Sequence, residues 1–496
     1  MDLAKLQNGS DVRGVALAGV EGEAVTLDDA AVRAIAGGFA RFLRARLGKE
    51  SFRVSVGRDS RLSGEAVAKT LCETLAACGA AVTDLGLCTT PAMFMTTVTG
   101  DEPFEAAVMI TASHLPWNRN GLKFFTAAGG AESADVREIL RLAAEETPFA
   151  PGGSVAQGEF METYAAILRE KIIAAANGSE KPLAGKRIVV DAGNGAGGFF
   201  AERVLAPLGA DTAGSRYLDP DGHFPNHVPN PELPEAMDSI RTAVLESHAD
   251  FGIIFDTDVD RAGAVLADGE ELNRNRLIAL ISAILLREHP GTAIVTDSIT
   301  STGLAEFIAS HGGVHRRFRR GYRNVINEAL RLNAAGHDCQ LAIETSGHAA
   351  LKENFFLDDG AYLVTRFLME IAAGRELESL LAGLREPVES REFRLKILAD
   401  DFRAAGTAVL DSLTEYVKEQ PGWSMAPDNC EGVRVNLDKA HGDGWFLLRL
   451  SLHDPILPLN IESDKEHGAR TIARELAPFL AQQTNIDASA ALEFTL

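Results

Sequence analysis

The residues of this 496-residue chain that could do chemistry are gathered in four short polar loops, most of them directly after an apolar run. The first, Thr111–Phe125, reads TASHLPWNRNGLKFF and follows AAVMI. Ser113, with His114 beside it, could be a nucleophile or a phosphate carrier if a cation stabilises the transferred charge. The plainer reading is a serine capping a strand-to-helix turn. The second, Phe255–Gly263, reads FDTDVDRAG after FGII and spaces Asp256, Asp258 and Asp260 two apart. Three carboxylates this close repel each other unless a cation sits among them, and hard oxygen ligands suit Mg²⁺. An EF-hand is excluded, because the sixth position is Arg261 and the twelfth Ala267 instead of glycine and glutamate. A merely solvated acidic turn is the alternative, and the apolar strand leading into the loop argues against it.

The third loop, Ile343–Asn354, reads IETSGHAALKEN. Glu344, Ser346 and His348 around a glycine offer donors and acceptors for sugar hydroxyls, or form an ordinary Ser-Gly turn. In the fourth, Arg449–Glu462 (RLSLHDPILPLNIE), Arg449, Ser451 and His453 alternate and on a strand would share one face. One cation and two donors on a face could hold a phosphate; the alternative is a plain hairpin edge. A basic run, HRRFRRGYR at His315–Arg323, stands out in an acidic chain. It could gather an anionic substrate or be a solvated face, and as a nucleic-acid patch it is isolated.

The elements that must position these loops follow from pattern. Phe52–Ser60, Lys186–Gly195 and Gly291–Thr300 are each a β-rich run ending in a polar loop and followed by helix-compatible sequence, the grammar of α/β units. Ligand loops in such sheets lie beyond the carboxyl ends of strands. EAVAKTLCETLAACG predicts a helix from Glu65 stopping at Gly79, then a strand AVTDLGL; Glu162–Ala176 predicts another helix ending at Asn177-Gly178. Beyond Arg385–Glu392 the grammar changes: GVRVNL, the turn HGDG and WFLLRLSL predict an antiparallel hairpin, LPLNIES a further strand and Glu466–Gln482 a closing helix.

Composition bounds the function. Hydrophobic residues at 46% and charged residues at 24% match a globular chain and exclude disorder or fibre. A net charge of −22 argues against coating nucleic acid or an anionic membrane. Five cysteines without CxxC spacing predict neither a disulfide framework nor a zinc site and fit a reducing compartment. No apolar run approaches the roughly 18–20 residues of a membrane span, and MDLAKLQNGSDVRG lacks a signal-peptide core. The expected location is cytoplasmic.

In this order the loops resemble the α-D-phosphohexomutase superfamily, the phosphomannomutase/phosphoglucomutase and phosphoglucosamine mutase enzymes, over about Gly9 to Ser463. GSDVRG (Gly9–Gly14) resembles the opening motif, VGRDSRLSG (Val56–Gly64) the GRDxR motif and TASHLPWNRNGLKFF the active-site TASHNP…NGxK loop. FPNHVPNPE (Phe224–Glu232) with FDTDVDR resembles the second-domain signature, and ETSGH the sugar-binding GExSGH loop. The resemblance implies an α/β protein with three related mixed α/β domains (1–153, 154–267, 268–384) and a smaller C-terminal α+β domain (385–496) around a central cleft. It implies that Ser113 carries a phosphoryl group exchanged with a sugar phosphate through a bisphosphorylated hexose, which also serves as activator. Asp256, Asp258 and Asp260 would hold Mg²⁺ against the phosphate on Ser113. Arg13, His114 and Arg261 would steady the phosphoryl oxygens, and Lys123 would act near the reacting hydroxyl. Glu344, Ser346 and His348 would grip the sugar, while Arg449, Ser451 and His453 would hold its other phosphate.

The favoured function is interconversion of hexose 1- and 6-phosphates by a monomer or homodimer that binds neither nucleic acid nor membrane. A phosphoglucosamine mutase or a non-catalytic sugar-phosphate binder is the alternative. A Mg²⁺ phosphatase with an aspartate nucleophile also fits IIFDTDV but leaves TASH…NGLK without a role. The chain departs from the family pattern at Leu115, where asparagine is usual, and at Trp117. It departs again at Arg449–Pro458, which lacks the usual glycine and threonine and has Pro458 about where a second arginine stands.

Overall fold

A computed structural model describes residues 2–145, 150–451 and 454–495; His453, expected among the phosphate contacts, lies with Leu452 outside the described residues. The chain divides into two compact units, Met1–Ile281 with Ser346–Leu380, and Ser282–Thr345 with Leu381–Leu496.

The first unit opens with a mixed sheet in the order Gln7–Asn8, Asp11–Val15, Arg119–Thr126, Ala106–Ile110, Arg53–Arg58, Ala81–Leu87, Ser154–Gln157. Its centre is buried on both sides, which is why Ala106–Ile110 reads as a continuous apolar run instead of an alternating one. The helices Asp29–Leu47, Gly64–Ala77 and Ser133–Leu142 supply much of the covering core, around Phe39, Val54 and Leu71. Gly79, in the left-handed region at φ 89°, follows the end of Gly64–Ala77, as the sequence predicts.

A second sheet runs Glu271–Leu272, Ala262–Leu266, Phe251–Phe255, Ile188–Asp191. Phe251–Phe255 is parallel to Ile188–Asp191 but antiparallel to Ala262–Leu266, with Phe255 opposite Ala262. The aspartate loop therefore closes a hairpin and does not lead into a helix. The predicted helix near Glu162 is Met161–Ala175. It packs on Gly360–Ala372, which the chain supplies after leaving the first unit and returning.

In the second unit Ala293–Thr296 pairs in parallel with Val314–Arg317 and with Cys339–Ile343, and the helices Thr302–Ser310 and Tyr322–Ala334 make the connections. The C-terminal sheet is antiparallel: Trp423–Met425, Val433–Leu437, Gly444–Leu448, Ile456–Ser463, Glu389–Ile397, Ile486–Asp487. It contains the predicted hairpin and further strand, and the closing helix is Gly468–Ala481. One expectation needs correction: Arg449 and Ser451 lie beyond the strand end at Leu448, so they do not share a strand face. Arg449 N–H still donates to Pro458 O (3.1 Å) and Ser451 N–H to Ile456 O (3.0 Å). Pro458 has no N–H to return the bond, so the regular ladder stops there.

None of the five cysteines is in a disulfide, and four of them are buried. Among the described residues no helix is long and apolar enough to cross a membrane.

Candidate active site

The serine loop is held open by backbone contacts that only certain residues allow. After Ile110 the chain turns so that Ser113 adopts φ 52°, a left-handed conformation that is costly for a non-glycine residue and persists only where surroundings enforce it. The enforcement comes from below. Thr111 Oγ1 accepts from Ser113 N–H (2.9 Å) and donates to Asp59 Oδ2 (2.6 Å). Arg61, fully buried, donates to the carbonyls of Pro116 (2.8 Å), Arg119 (3.0 Å), Leu115 (2.6 Å) and Ser113. Burial pushes the Asp59 carboxyl up to about 6 against the pull of Arg61, 3.3 Å away. Gly121 has no alternative, since a Cβ there would lie 2.2 Å from Val12 O and 2.8 Å from Thr111 O.

Three groups converge on the Ser113 hydroxyl. It donates to Asp256 Oδ2 (3.2 Å), accepts from Arg261 Nη2 (3.2 Å) and lies 3.3 Å from His114 Nδ1. Arg261 is clamped by Asp256 Oδ2 (Nε, 3.1 Å) and Asn230 Oδ1 (Nη1, 3.1 Å), and it donates to His114 Nδ1 at 2.7 Å. That bond assigns the lone pair to Nδ1 and makes the imidazole neutral. Burial, Arg261 and Arg13 push His114 down to about 2. Arg13 sits opposite Gly121 in the sheet, its guanidinium on Asp11 at 2.9 Å.

Asp256, Asp258 and Asp260 are buried with ligand oxygens within 4.8 Å of one another. Burial, then Asp260 and Asp258, hold the Asp256 carboxyl well above its usual range; burial also opposes ionisation of Asp260, but Lys123, His348 and Arg261 outweigh it. Lys123 Nζ reaches Asp258 (3.2 Å) and Asp260, and Thr90 Oγ1 donates to Asp258 at 2.5 Å. Asp258 Oδ1 and Asp260 Oδ1 remain buried without a hydrogen-bond donor. Two orphaned carboxylate oxygens in a pocket of hard oxygen donors are what a small divalent cation satisfies, so the residues fit a metal. His348 Nε2 stands 3.6 Å from Asp260, and Ser346 Oγ pairs with His348 Nδ1 at 3.0 Å. Burial pushes His348 down to about 3.

The first unit thus brings together Arg13, Ser113, His114, Lys123, the three aspartates, Arg261, Ser346 and His348. In the second unit Glu344 accepts from Gly321 N–H at 2.6 Å, and Arg449 stands 3.9 Å from Glu431. Sequence reasoning gave no role to Arg61, Asp59, Thr111, Thr90 or Asn230. Arg61 and Asp59 were signalled only as part of VGRDSRLSG.

A left-handed serine between a guanidinium and a carboxylate triad, on successive α/β sheets, defines a class of phosphoryl-transfer proteins. Residues 4–149, 162–269 and 273–388 match, in that order, α/β/α domains I, II and III of phosphoglucomutase/phosphomannomutase, and the chain belongs to that family. It is 31% identical to phosphomannomutase/phosphoglucomutase of Pseudomonas aeruginosa, over 84% of this chain and 85% of that protein. It is 29% identical to a phosphoglucomutase of Neisseria gonorrhoeae, over 92% and 93%. Among solved structures, a phosphoglucomutase/phosphomannomutase family protein from Burkholderia thailandensis superimposes with a TM-score of 0.80 at 28% identity, covering 97% of this chain and 98% of that one.

Proposed function

We propose that the protein is an isomerase of the phosphoglucomutase/phosphomannomutase type that interconverts hexose 1-phosphate and hexose 6-phosphate. The observation that carries this reading is Ser113 Oγ at 3.2 Å from both Asp256 Oδ2 and Arg261 Nη2 beside the aspartate triad. In the phosphorylated enzyme the bond from Ser113 Oγ to phosphorus breaks as one forms to a sugar hydroxyl. The hydroxyl proton leaves and Ser113 Oγ ends protonated. The product is a bisphosphorylated hexose, which reorients and returns its other phosphate to Ser113.

Asp256, Asp258, Asp260 and an oxygen on Ser113 would hold Mg²⁺, which when bound neutralises charge on the phosphoryl oxygens. Arg261 and Arg13 orient those oxygens. Neutral His114 and His348 serve there as hydrogen-bonding groups, not as cations. Lys123, held on the triad carboxylates, is the acid/base candidate for the hydroxyl proton. Glu344, Ser346 and His348 bind sugar hydroxyls, and Arg449, Ser451 and His453 bind the non-reacting phosphate. The same reading takes the four-domain division 1–153, 154–267, 268–384 and 385–496, a cytoplasmic monomer or homodimer, and no nucleic-acid or membrane partner.

Intact-mass measurement of purified protein tests the proposal together with a coupled assay primed by hexose bisphosphate. A gain of about 80 Da on Ser113 and turnover of glucose 1-phosphate or mannose 1-phosphate are expected. An unmodified serine with no turnover after priming rules the reading out.

A further inference from the structure

The fourth loop is short of charge for its task. Between Arg449 and Pro458 the only guanidinium is Arg449, and Pro458 spends its carbonyl on Arg449 N–H. A phosphate dianion is gripped best by more than one charge-assisted donor. The second unit brings another cation to the same place from a separate segment. Arg320 lies in the turn between Val314–Arg317 and Tyr322–Ala334, part of the basic run. Its backbone N–H donates to Glu431 Oε1 (3.3 Å), and the same oxygen accepts from Ser298 Oγ and stands 3.9 Å from Arg449 Nε. Arg320 Nε is 3.9 Å from Asp297 Oδ2.

Arg449 Nε is buried without an acceptor. After burial itself, the charge of Arg320 is the largest influence lowering the proton affinity of Arg449. Two arginines from distant segments therefore meet at the Glu431 and Asp297 carboxylates: Arg449 Nε stands 3.9 Å from Glu431, whose Oε1 also accepts the Arg320 backbone N–H, and Arg320 Nε stands 3.9 Å from Asp297. Like charges so arranged are relieved when an anion joins them. The next residue, Gly321, bonds Glu344, the proposed sugar-hydroxyl acceptor, so a hydroxyl site and a two-cation site adjoin.

We infer that Arg320 is a substrate-binding residue that, with Arg449, grips the non-reacting phosphate of the hexose phosphate in place of the arginine missing at Pro458. This rests on the function proposed above. Glu431 beside Arg449 and Asp297 beside Arg320 then serve as the counter-ions that keep the two cations in place before substrate arrives.

The test is titration calorimetry of full-length protein with glucose 6-phosphate at several salt concentrations, beside steady-state kinetics and thermal melting. Arg320→Gln should weaken Kd and raise KM about tenfold or more, equivalent to about 1.4 kcal/mol. It should also change kcat by no more than about twofold and flatten the salt dependence of binding, since one fewer charge takes part. Arg320→Lys should restore part of the affinity, keeping the charge but losing the fork. Arg316→Ala, in the same run but paired with Glu328 at 3.0 Å, should bind like wild type. Wild-type Kd and salt dependence in Arg320→Gln would overturn the inference and leave the function standing. So would a lost affinity that tracks a lowered melting temperature and that lysine does not restore, because that marks a purely structural ion pair with Asp297. A wild-type protein that neither binds nor turns over a hexose phosphate overturns the function, and this inference with it.

Discussion

Ser113, the proposed phosphoryl carrier, is held by its neighbours in a left-handed conformation that a serine seldom adopts. Ser113→Ala removes the phosphoryl acceptor and leaves every backbone contact of Arg61 in place. Turnover should fall at least about a thousandfold with an unchanged circular dichroism spectrum; wild-type-like rates in the coupled assay would end the assignment. Asp258→Asn removes one of three negative charges that the fold has concentrated. Metal affinity and turnover should fall together, by at least about tenfold, when Mg²⁺ is titrated into chelator-treated protein; an unchanged Mg²⁺ requirement contradicts the triad. Arg61 shows what residue-level reading overlooks. Its hydrogen bonds to the loop all go to carbonyls, which every sequence has, so nothing in residue type marks the partners. Arg61→Ala leaves Asp59 buried without its cation and should cost about 3–5 kcal/mol in denaturant titration.

At the level of elements, most of the site was legible because strands that are buried on both faces announce themselves, and the loops that follow them are polar. AAVMI and FGIIF fixed where Ser113 and Asp256 begin. The alternation of Arg449, Ser451 and His453 misled for a physical reason: a period of two places residues on one face only while the ladder continues, and Pro458 ends it. Arg320 was legible only as one cation of the basic run His315–Arg323, with nothing to single it out, since the role proposed for it depends on Glu431 and Arg449, more than a hundred positions away in sequence.

The same C-terminal sheet supplies a pH prediction. Glu462 and Trp445 are directly opposite across neighbouring strands, Trp445 Nε1 donates to Glu462 Oε2 (3.0 Å), and Arg434 stacks 3.6 Å over the indole. Burial pushes the Glu462 carboxyl up to about 7 in spite of Arg434, and burial with Arg317 pushes Arg434 down to about 9. Both are driven toward neutrality, yet the guanidinium keeps its charge at neutral pH. Between the ordinary value of 4.5 and about 7 the folded chain keeps a proton that the unfolded chain has released. Stability from this group is therefore full below that window and falls as pH rises through it. Glu462→Gln, which cannot titrate, should flatten the decline in melting temperature between pH 5 and 7, with an effect of roughly 3 kcal/mol across the window; an unchanged slope refutes the assignment.

For the molecule as a whole, two compact units in one chain predict that unfolding is not a single cooperative event. Differential scanning calorimetry should resolve more than one transition. Arg61→Ala should lower the one belonging to the first unit and Glu462→Gln alter only the other. A single transition shifted by both variants would show that the units melt together.

The first unit is also discontinuous along the chain. Its aspartate loop and its helix Met161–Ala175 touch residues that come after a whole excursion into the second unit: Gly360 N–H donates to Val259 O (3.0 Å), and Tyr164 Oη donates to Asp359 Oδ1 (2.6 Å). On a ribosome, then, the segment up to Ile281 emerges with Tyr164 lacking its acceptor and the Val259 carbonyl lacking its donor. The unit is completed only after Gly360–Ala372 has left the exit tunnel. A nascent chain arrested where Ile281 has left the tunnel but Gly360 has not should be protease-sensitive around Val259, and one arrested well past Leu380 should be protected there, so the aspartate loop is set late in synthesis although it is encoded near the middle of the chain.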